Sequence, residues 1–187
     1  MARKGFRDFV DDLEQAGELC RVTKEVDPRQ IPGLMAQAPE ATFFENITGY
    51  PDWRLAGALV STRKRLAISM DCSQDDIAFR FEEALGRLID PIHVNEGACQ
   101  EVVHTGDDVD LTAIPYPLMH VFDGGPYLSG TLVVSNDPEY GPNVGSYRLM
   151  YRTPRETGID LVSPSDMRFY YQRALDQGKP LEIAVAI

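Results

Sequence analysis

One arginine in a short alternating segment offers the clearest chemistry. Arg148 lies in Val144–Tyr151, which reads as an extended strand. By period-two alternation Asn143, Gly145, Tyr147 and Tyr151 share one face, and Val144, Ser146, Arg148 and Met150 share the other. An arginine held on a strand beside a pocket suits a carboxylate, because its planar fork donates two parallel hydrogen bonds. The other reading is a surface ion pair with a neighbouring acid on a solvated sheet face. His93 and His104 read as structural, whereas His120 follows a proline-rich extended run and could face a pocket. Ser129 and Thr131 lie on the preceding strand, where hydroxyls can touch a ligand or face water. There is no nucleophile elbow, phosphate loop or pair of metal-spaced histidines.

The elements that place Arg148 follow from pattern. Tyr127 to Val134 predicts a long strand, Asp137–Pro142 a hairpin loop, and Val144–Tyr151 the returning strand. A helix is expected from Pro164 to Gly178, with Ser163 as N-cap, Pro164 at the first helical position and Asp166 at the third. Upstream, Phe6, Phe9, Val10 and Leu13 have helical spacing, and Gly17 stops that helix. Strands are expected at Leu19–Val26, Phe43–Ile47, Leu55–Val60 and Glu101–His104, with irregular chain from Asp27 to Pro39. Asp75–Leu88 predicts an amphipathic helix that Ser73 or Asp75 could cap. Ile114–Pro117 must run extended, since each proline restricts its predecessor.

Composition narrows the class. The 187 residues are 43% hydrophobic and 25% charged, as in an ordinary globular protein, with net charge −11. That sign argues against nucleic-acid binding, which needs clustered Lys and Arg. Cys20, Cys72 and Cys99 are odd in number and lack CxxC spacing, so neither a disulfide framework nor a structural zinc site is expected. No signal peptide or membrane span is apparent, and a cytoplasmic location is the expectation. The apolar run Ile183–Ile187 reads as a buried strand, so the chain is expected to be a fragment, a processed chain or one piece of a larger protein.

Five segments together resemble one family. They are Phe6-Arg7-Asp8-Phe9, Phe44–Pro51, Cys99–Leu111, Asp123–Leu128 and Asn143-Val144-Gly145-Ser146-Tyr147-Arg148. In this order they are similar to the UbiD-type decarboxylases, which use prenylated FMN to remove a carboxyl group from aromatic or α,β-unsaturated acids. The resemblance covers essentially the whole chain. It implies a small N-terminal α/β domain, residues 1–112, then the first part of a split β-barrel flavin-binding domain, residues 113–187, in an α/β (α+β) fold.

The resemblance also assigns roles. Asn143 matches the asparagine that binds a divalent metal, Mn2+ or Mg2+, which in turn holds the flavin phosphate; K+ is a further cation it allows. Ser146 and Tyr147 match positions lining the cofactor, with Ser165 and Asp166 near it. Arg148 matches the catalytic arginine. Some members carry a metal-binding histidine where this chain has Asp166, so Asp166 is a candidate metal ligand as well as a candidate cap. The family's glutamates fall beyond residue 187, so residues 1–187 alone are not expected to decarboxylate. Implied partners are a small carboxylic acid substrate, a flavin prenyltransferase as cofactor supplier, and either further copies of the chain or a partner chain supplying the C-terminal part. The competing expectations are a non-catalytic flavin-binding or subunit module and a split-barrel flavin reductase.

Overall fold

The structure, a computed structural model, describes residues 5–187. Two compact units divide after Asp108. The fold class is α+β. Among the described residues no helix is long and apolar enough to cross a membrane, and all three cysteines are free.

The first unit opens with helix α1, Phe6–Gln15, which buries Val10 and Leu13. Gly17 ends it at φ +69°, a left-handed conformation that glycine adopts without a Cβ penalty. Strand β1, Leu19–Val22, pairs in parallel with β2, Ala41–Phe44, and β2 pairs antiparallel with β3, Leu55–Gly57. Val26, Ile31, Phe44 and Ile47 form the core under this sheet, with Met35, Trp53 and Leu55 packed against them.

All three strands are shorter than their alternation predicts. The third stops because Ala58 turns left-handed at φ +57°. Helix α2, Ile31–Met35, forms where irregular chain is expected; Pro32 sits in its first turn, where a missing N–H costs nothing. Helix α3, Arg63–Ser69, is disguised by three basic residues. One of them, Arg65, is only 3% exposed. Its guanidinium donates to the Pro39 carbonyl at 2.9 Å and to Ser61 Oγ at 2.6 Å, and lies 3.5 Å from Glu18.

Helix α4 spans Ile77–Leu85, shorter than expected at both ends, and buries no residue. Ser73 Oγ accepts from the Asp76 N–H at 3.2 Å, just ahead of it. The strand expected at Glu101–His104 does not form. Val102 and Val103 are exposed and among the described residues no strand runs beside them, so a lone extended segment would leave its backbone groups unpaired within the protein.

The second unit is a four-stranded sheet in the order β6-β5-β4-β7. Strand β4 is Tyr127–Asp137, β5 is Gly141–Thr153, β6 is Glu156–Ile159 and β7 is Ile183–Ala186. Asp137 Oδ1 accepts from the N–H groups of Glu139 and Tyr140, building the β4–β5 turn that Gly141 closes at φ +82°. Thr131, Val133, Ser135 and Asp137 form the buried face of β4.

Helix α5, Asp166–Asp176, covers that face with Met167 and Tyr170. Arg173 ties it to the turn, 2.9 Å from Asp137 and 2.7 Å from Glu139, with its guanidinium over the Tyr140 ring. The helix begins later than its sequence predicts. Ser165, not Ser163, is the N-cap, accepting from the Arg168 N–H at 3.3 Å, and Asp166 is the first helical residue rather than a cap. The Arg168 guanidinium, hydrogen-bonded to the Leu161 and Val162 carbonyls, holds the preceding loop away from helical geometry. The β7 residues are exposed rather than buried; among the described residues β7 is an edge strand, paired only with β4.

Candidate functional site

Alternation in β5 is unbroken from Asn143 to Leu149. Asn143, Gly145 and Tyr147 are half-buried, Val144, Ser146 and Arg148 are exposed, and Leu149 is buried. The irregularities in pairing lie between Leu128 and Thr131 and between Tyr151 and Thr153. Asn143 and Arg148 therefore project from opposite faces, about 17 Å apart along a strand rising about 3.4 Å per residue. The candidate residues divide into two groups rather than one cluster.

On the helix side, Asn143 stands directly opposite Ser135 of β4. Ser135 is 2% exposed, and its hydroxyl has no hydrogen-bond partner. An unsatisfied buried hydroxyl costs about 1–3 kcal/mol, so this one marks a place where a polar neighbour is wanted. A Cβ on Gly145 would meet the Tyr147 ring at 2.5 Å, so the ring lies across a position only glycine leaves free. Thr131 Oγ1 donates to the Tyr147 carbonyl.

Ser165 and Asp166 begin the helix on this same side. The Ser165 hydroxyl is committed to capping, whereas the Asp166 carboxylate is exposed. Burial, then the charges of Asp137 and Asp166, push the Tyr170 phenol above its ordinary pKa. Among the described residues no three His, Cys, Asp or Glu side chains gather at one point. A cavity of about 440 Å³ between the β4–β5 turn and the end of α5 is lined by Asp137, Tyr170, Gln177 and Lys179; it includes none of the predicted site residues.

The open side is largely apolar. Val144 pairs with Val134, and Ser146 with Leu132; Ala184 and Ala186 continue this face on β7. Arg148 sits at its end. Leu128 pairs with Leu149 and Thr131 with Tyr147, so two β4 residues, Ser129 and Gly130, face Arg148 alone. Such a bulge bends the strand and re-aims side chains beside it. The Arg148 guanidinium lies 5.5 Å from the centre of the Tyr127 ring. Among the described residues it forms no ion pair with a carboxylate, so the surface-pair reading is not the arrangement found. Strand β6 joins β5 only from Leu149 onward, leaving the Asn143–Arg148 edge without a partner strand among the described residues.

His120 is not among these groups. His120 lies in a turn, its backbone N–H donating to Asp123 at 2.9 Å and its Nδ1 accepting from the Phe122 N–H at 3.2 Å. His93 and His104 are exposed and belong to the first unit. Two groups escape sequence reasoning. One is Ser135, although its parity with Asp137 could have placed it on the buried face. The other is Tyr116, whose phenol oxygen is buried without a partner, its ring centre 5.4 Å from that of Tyr151. Burial raises the Tyr116 pKa, with Tyr151 adding to the effect.

Residues 92–187 match the profile of the 3-octaprenyl-4-hydroxybenzoate carboxy-lyase Rift-related domain, and residues 10–85 match that of the N-terminal domain of the same enzymes. The chain belongs to the UbiD family. It is 30% identical to the phenolic acid decarboxylase of Sedimentibacter hydroxybenzoicus, over 98% of this chain and 42% of that protein.

Among solved structures it is similar to the UbiD-class enzyme HmfF from Pelotomaculum thermopropionicum in complex with FMN. That likeness has TM-score 0.88 and 30% identity, covering 97% of this chain and 42% of that one. The vanillic acid decarboxylase ShVdcCD of S. hydroxybenzoicus in closed form gives TM-score 0.89 and 28% identity, over 100% and 43%. The chain thus spans about two fifths of the length of these relatives.

Proposed function

We propose that this chain forms the N-terminal domain and the first part of the cofactor-binding sheet of a reversible decarboxylase. The substrate is an aromatic or α,β-unsaturated carboxylic acid, and the cofactor is prenylated FMN held through Mn2+ or Mg2+. The observation that carries the reading is Arg148: a guanidinium without a carboxylate partner, at the end of an apolar sheet face and beside a bulge. On an apolar surface a bidentate arginine–carboxylate pair is stronger than in open water. Arg148 would bind the substrate carboxylate and fix its direction, while Leu132, Val134 and Val144 exclude water from the substrate's apolar body.

The helix side fits the metal. Asn143 offers an amide oxygen, a hard donor of the kind Mn2+ and Mg2+ accept, and it stands opposite a buried Ser135 hydroxyl that lacks a partner. Asp166 is free of a capping role, which leaves its carboxylate available on the same side. A separation of about 17 Å between Asn143 and Arg148 suits a ligand whose phosphate end and reactive ring are far apart, lying along the open β5 edge. Ser146, Tyr147 and Ser165 would line it. The bound flavin would supply the electron-accepting centre as CO2 leaves. The C-terminal part would come from the same polypeptide or a partner chain, in a cytoplasmic enzyme that receives its cofactor from a flavin prenyltransferase.

The test is co-expression of the complete enzyme with a flavin prenyltransferase, followed by an absorbance spectrum, metal analysis and CO2 release from a panel of aromatic and unsaturated acids. Flavin uptake with turnover is expected. Flavin uptake without turnover on any acid would favour a binding module instead.

A further inference from the structure

Ser135 occupies the centre of the second unit's sheet. Its strand pairs with β5 on one side and β7 on the other, placing Ser135 between Asn143 and Ile183. A serine 2% exposed in such a position ordinarily spends its hydroxyl on a backbone carbonyl or a neighbouring side chain. This one does neither. Across the strand, the Asn143 side-chain amide also makes no hydrogen bond among the described residues. Directly opposed residues on one face of an antiparallel pair hold their Cβ atoms about 4.5–5.5 Å apart. A rotation of either side chain brings hydroxyl and amide within hydrogen-bonding range.

An asparagine that ligates a metal must present its oxygen, not its nitrogen. The two ends are nearly equal in shape, so something must choose between them. A hydroxyl beside the amide can accept from the Nδ2 hydrogens and turn Oδ1 outward.

We propose that Ser135 is a positioning residue for the metal site at Asn143: its Oγ accepts a hydrogen bond from Asn143 Nδ2 and directs Asn143 Oδ1 toward the divalent cation. This rests on the metal reading of Asn143 given above. Ser135 does not touch the metal; it acts as the outer partner that fixes a ligand's orientation, a role whose loss typically weakens metal binding about 10- to 100-fold.

The experiment measures Mn2+ affinity of the complete enzyme by the electron paramagnetic resonance signal of free Mn2+, for the parent, S135A, S135C, S135T and N143A. The metal-free thermal midpoint of each is recorded alongside. S135A and S135C are expected to bind Mn2+ at least tenfold more weakly, with a metal-free midpoint equal to or above the parent's, because without metal the Ser135 hydroxyl has no partner to lose. S135T, which keeps the hydroxyl, is expected to stay within threefold of the parent. In the S135A/N143A double variant the losses should not add, since the serine acts through the asparagine.

Mn2+ affinity of S135A within twofold of the parent, with N143A losing its metal, overturns the role of Ser135 and leaves the metal site standing. Full additivity in the double variant also overturns that role. Retention of metal by N143A overturns the metal reading, and the Ser135 inference with it.

Discussion

Replacing Arg148 by lysine separates a catalytic arginine from a surface one. Lysine keeps the positive charge and loses the planar fork. The structural cost is bounded by what Arg148 touches: the Tyr127 ring, at 5.5 Å. A cation–π contact at an exposed site is worth about 0.5–1 kcal/mol, and lysine retains part of it. For a small domain, about 1 kcal/mol moves the thermal midpoint by about 4–8 °C, so the variant should melt no more than a few degrees below the parent. The kinetic cost is of another size. Displacing a carboxylate by about 1 Å costs about a hundredfold in rate, equivalent to about 2.7 kcal/mol. The assay is kcat on the complete, cofactor-loaded enzyme, with flavin occupancy checked by absorbance. Normal flavin content with a loss of about a hundredfold is expected. A rate within threefold of the parent would refute the reasoning, and parallel loss of flavin and rate would make Arg148 a cofactor-binding residue instead.

Three other outcomes are expected. On the proposed metal site, N143A should lower metal and flavin content together, because one ligand would hold both; full metal content by elemental analysis would contradict this. G145A places a Cβ 2.5 Å from the Tyr147 ring and must displace it; overpacking of this kind costs about 1–3 kcal/mol, read as a lowered denaturation midpoint, and an unchanged midpoint would show that the ring moves freely. Asp137 has its carboxyl held below the ordinary range, first by the Arg173 side chain and then by the Glu139 and Tyr140 N–H groups. A depressed native pKa contributes stability above the unfolded value of about 3.9, and that contribution is lost as pH falls through the native value. D137N should therefore be less stable than the parent at pH 7, with the gap closing below pH 4; a gap that is constant with pH would exclude the ionised pair as its source.

The β4–β5 hairpin could be read in advance because its alternation and turn residues agree. Tyr127–Val134, Asp137, Gly141 and Val144–Tyr151 all favour the same local structure, and the opposed directions of Asn143 and Arg148 follow from parity alone. What parity could not supply is the bulge opposite Arg148, which depends on a pairing slip between Leu128 and Thr131. Nor could it show that the Ser135 hydroxyl is left without a partner. Helix α3 was hidden because Arg65 is buried by hydrogen-bonding partners, two of them, Glu18 and Pro39, distant in sequence, so hydropathy misreports its face. Val102–Val103 misled in the opposite sense: β-branched residues favour a strand, but a strand also needs a neighbour. At the start of α5, Ser163 and Ser165 carry the same capping chemistry, and the Arg168 contacts to Leu161 and Val162 decide between them.

The order β6-β5-β4-β7 has a consequence for synthesis. Strands β4 and β5 are joined by a tight turn and can meet as soon as Thr153 has cleared the ribosome; hairpins close in about 1–10 μs. Strand β7 pairs with β4 on its other side but begins 30 residues later, at Ile183. At about 5–20 residues per second those residues take roughly 2–6 s to appear. For that interval the nascent hairpin must hold its register with its own contacts, Thr131 to the Tyr147 carbonyl and Arg148 over Tyr127 among them. The spacing of Asn143 and Arg148 is therefore set cotranslationally, seconds before β7 exists.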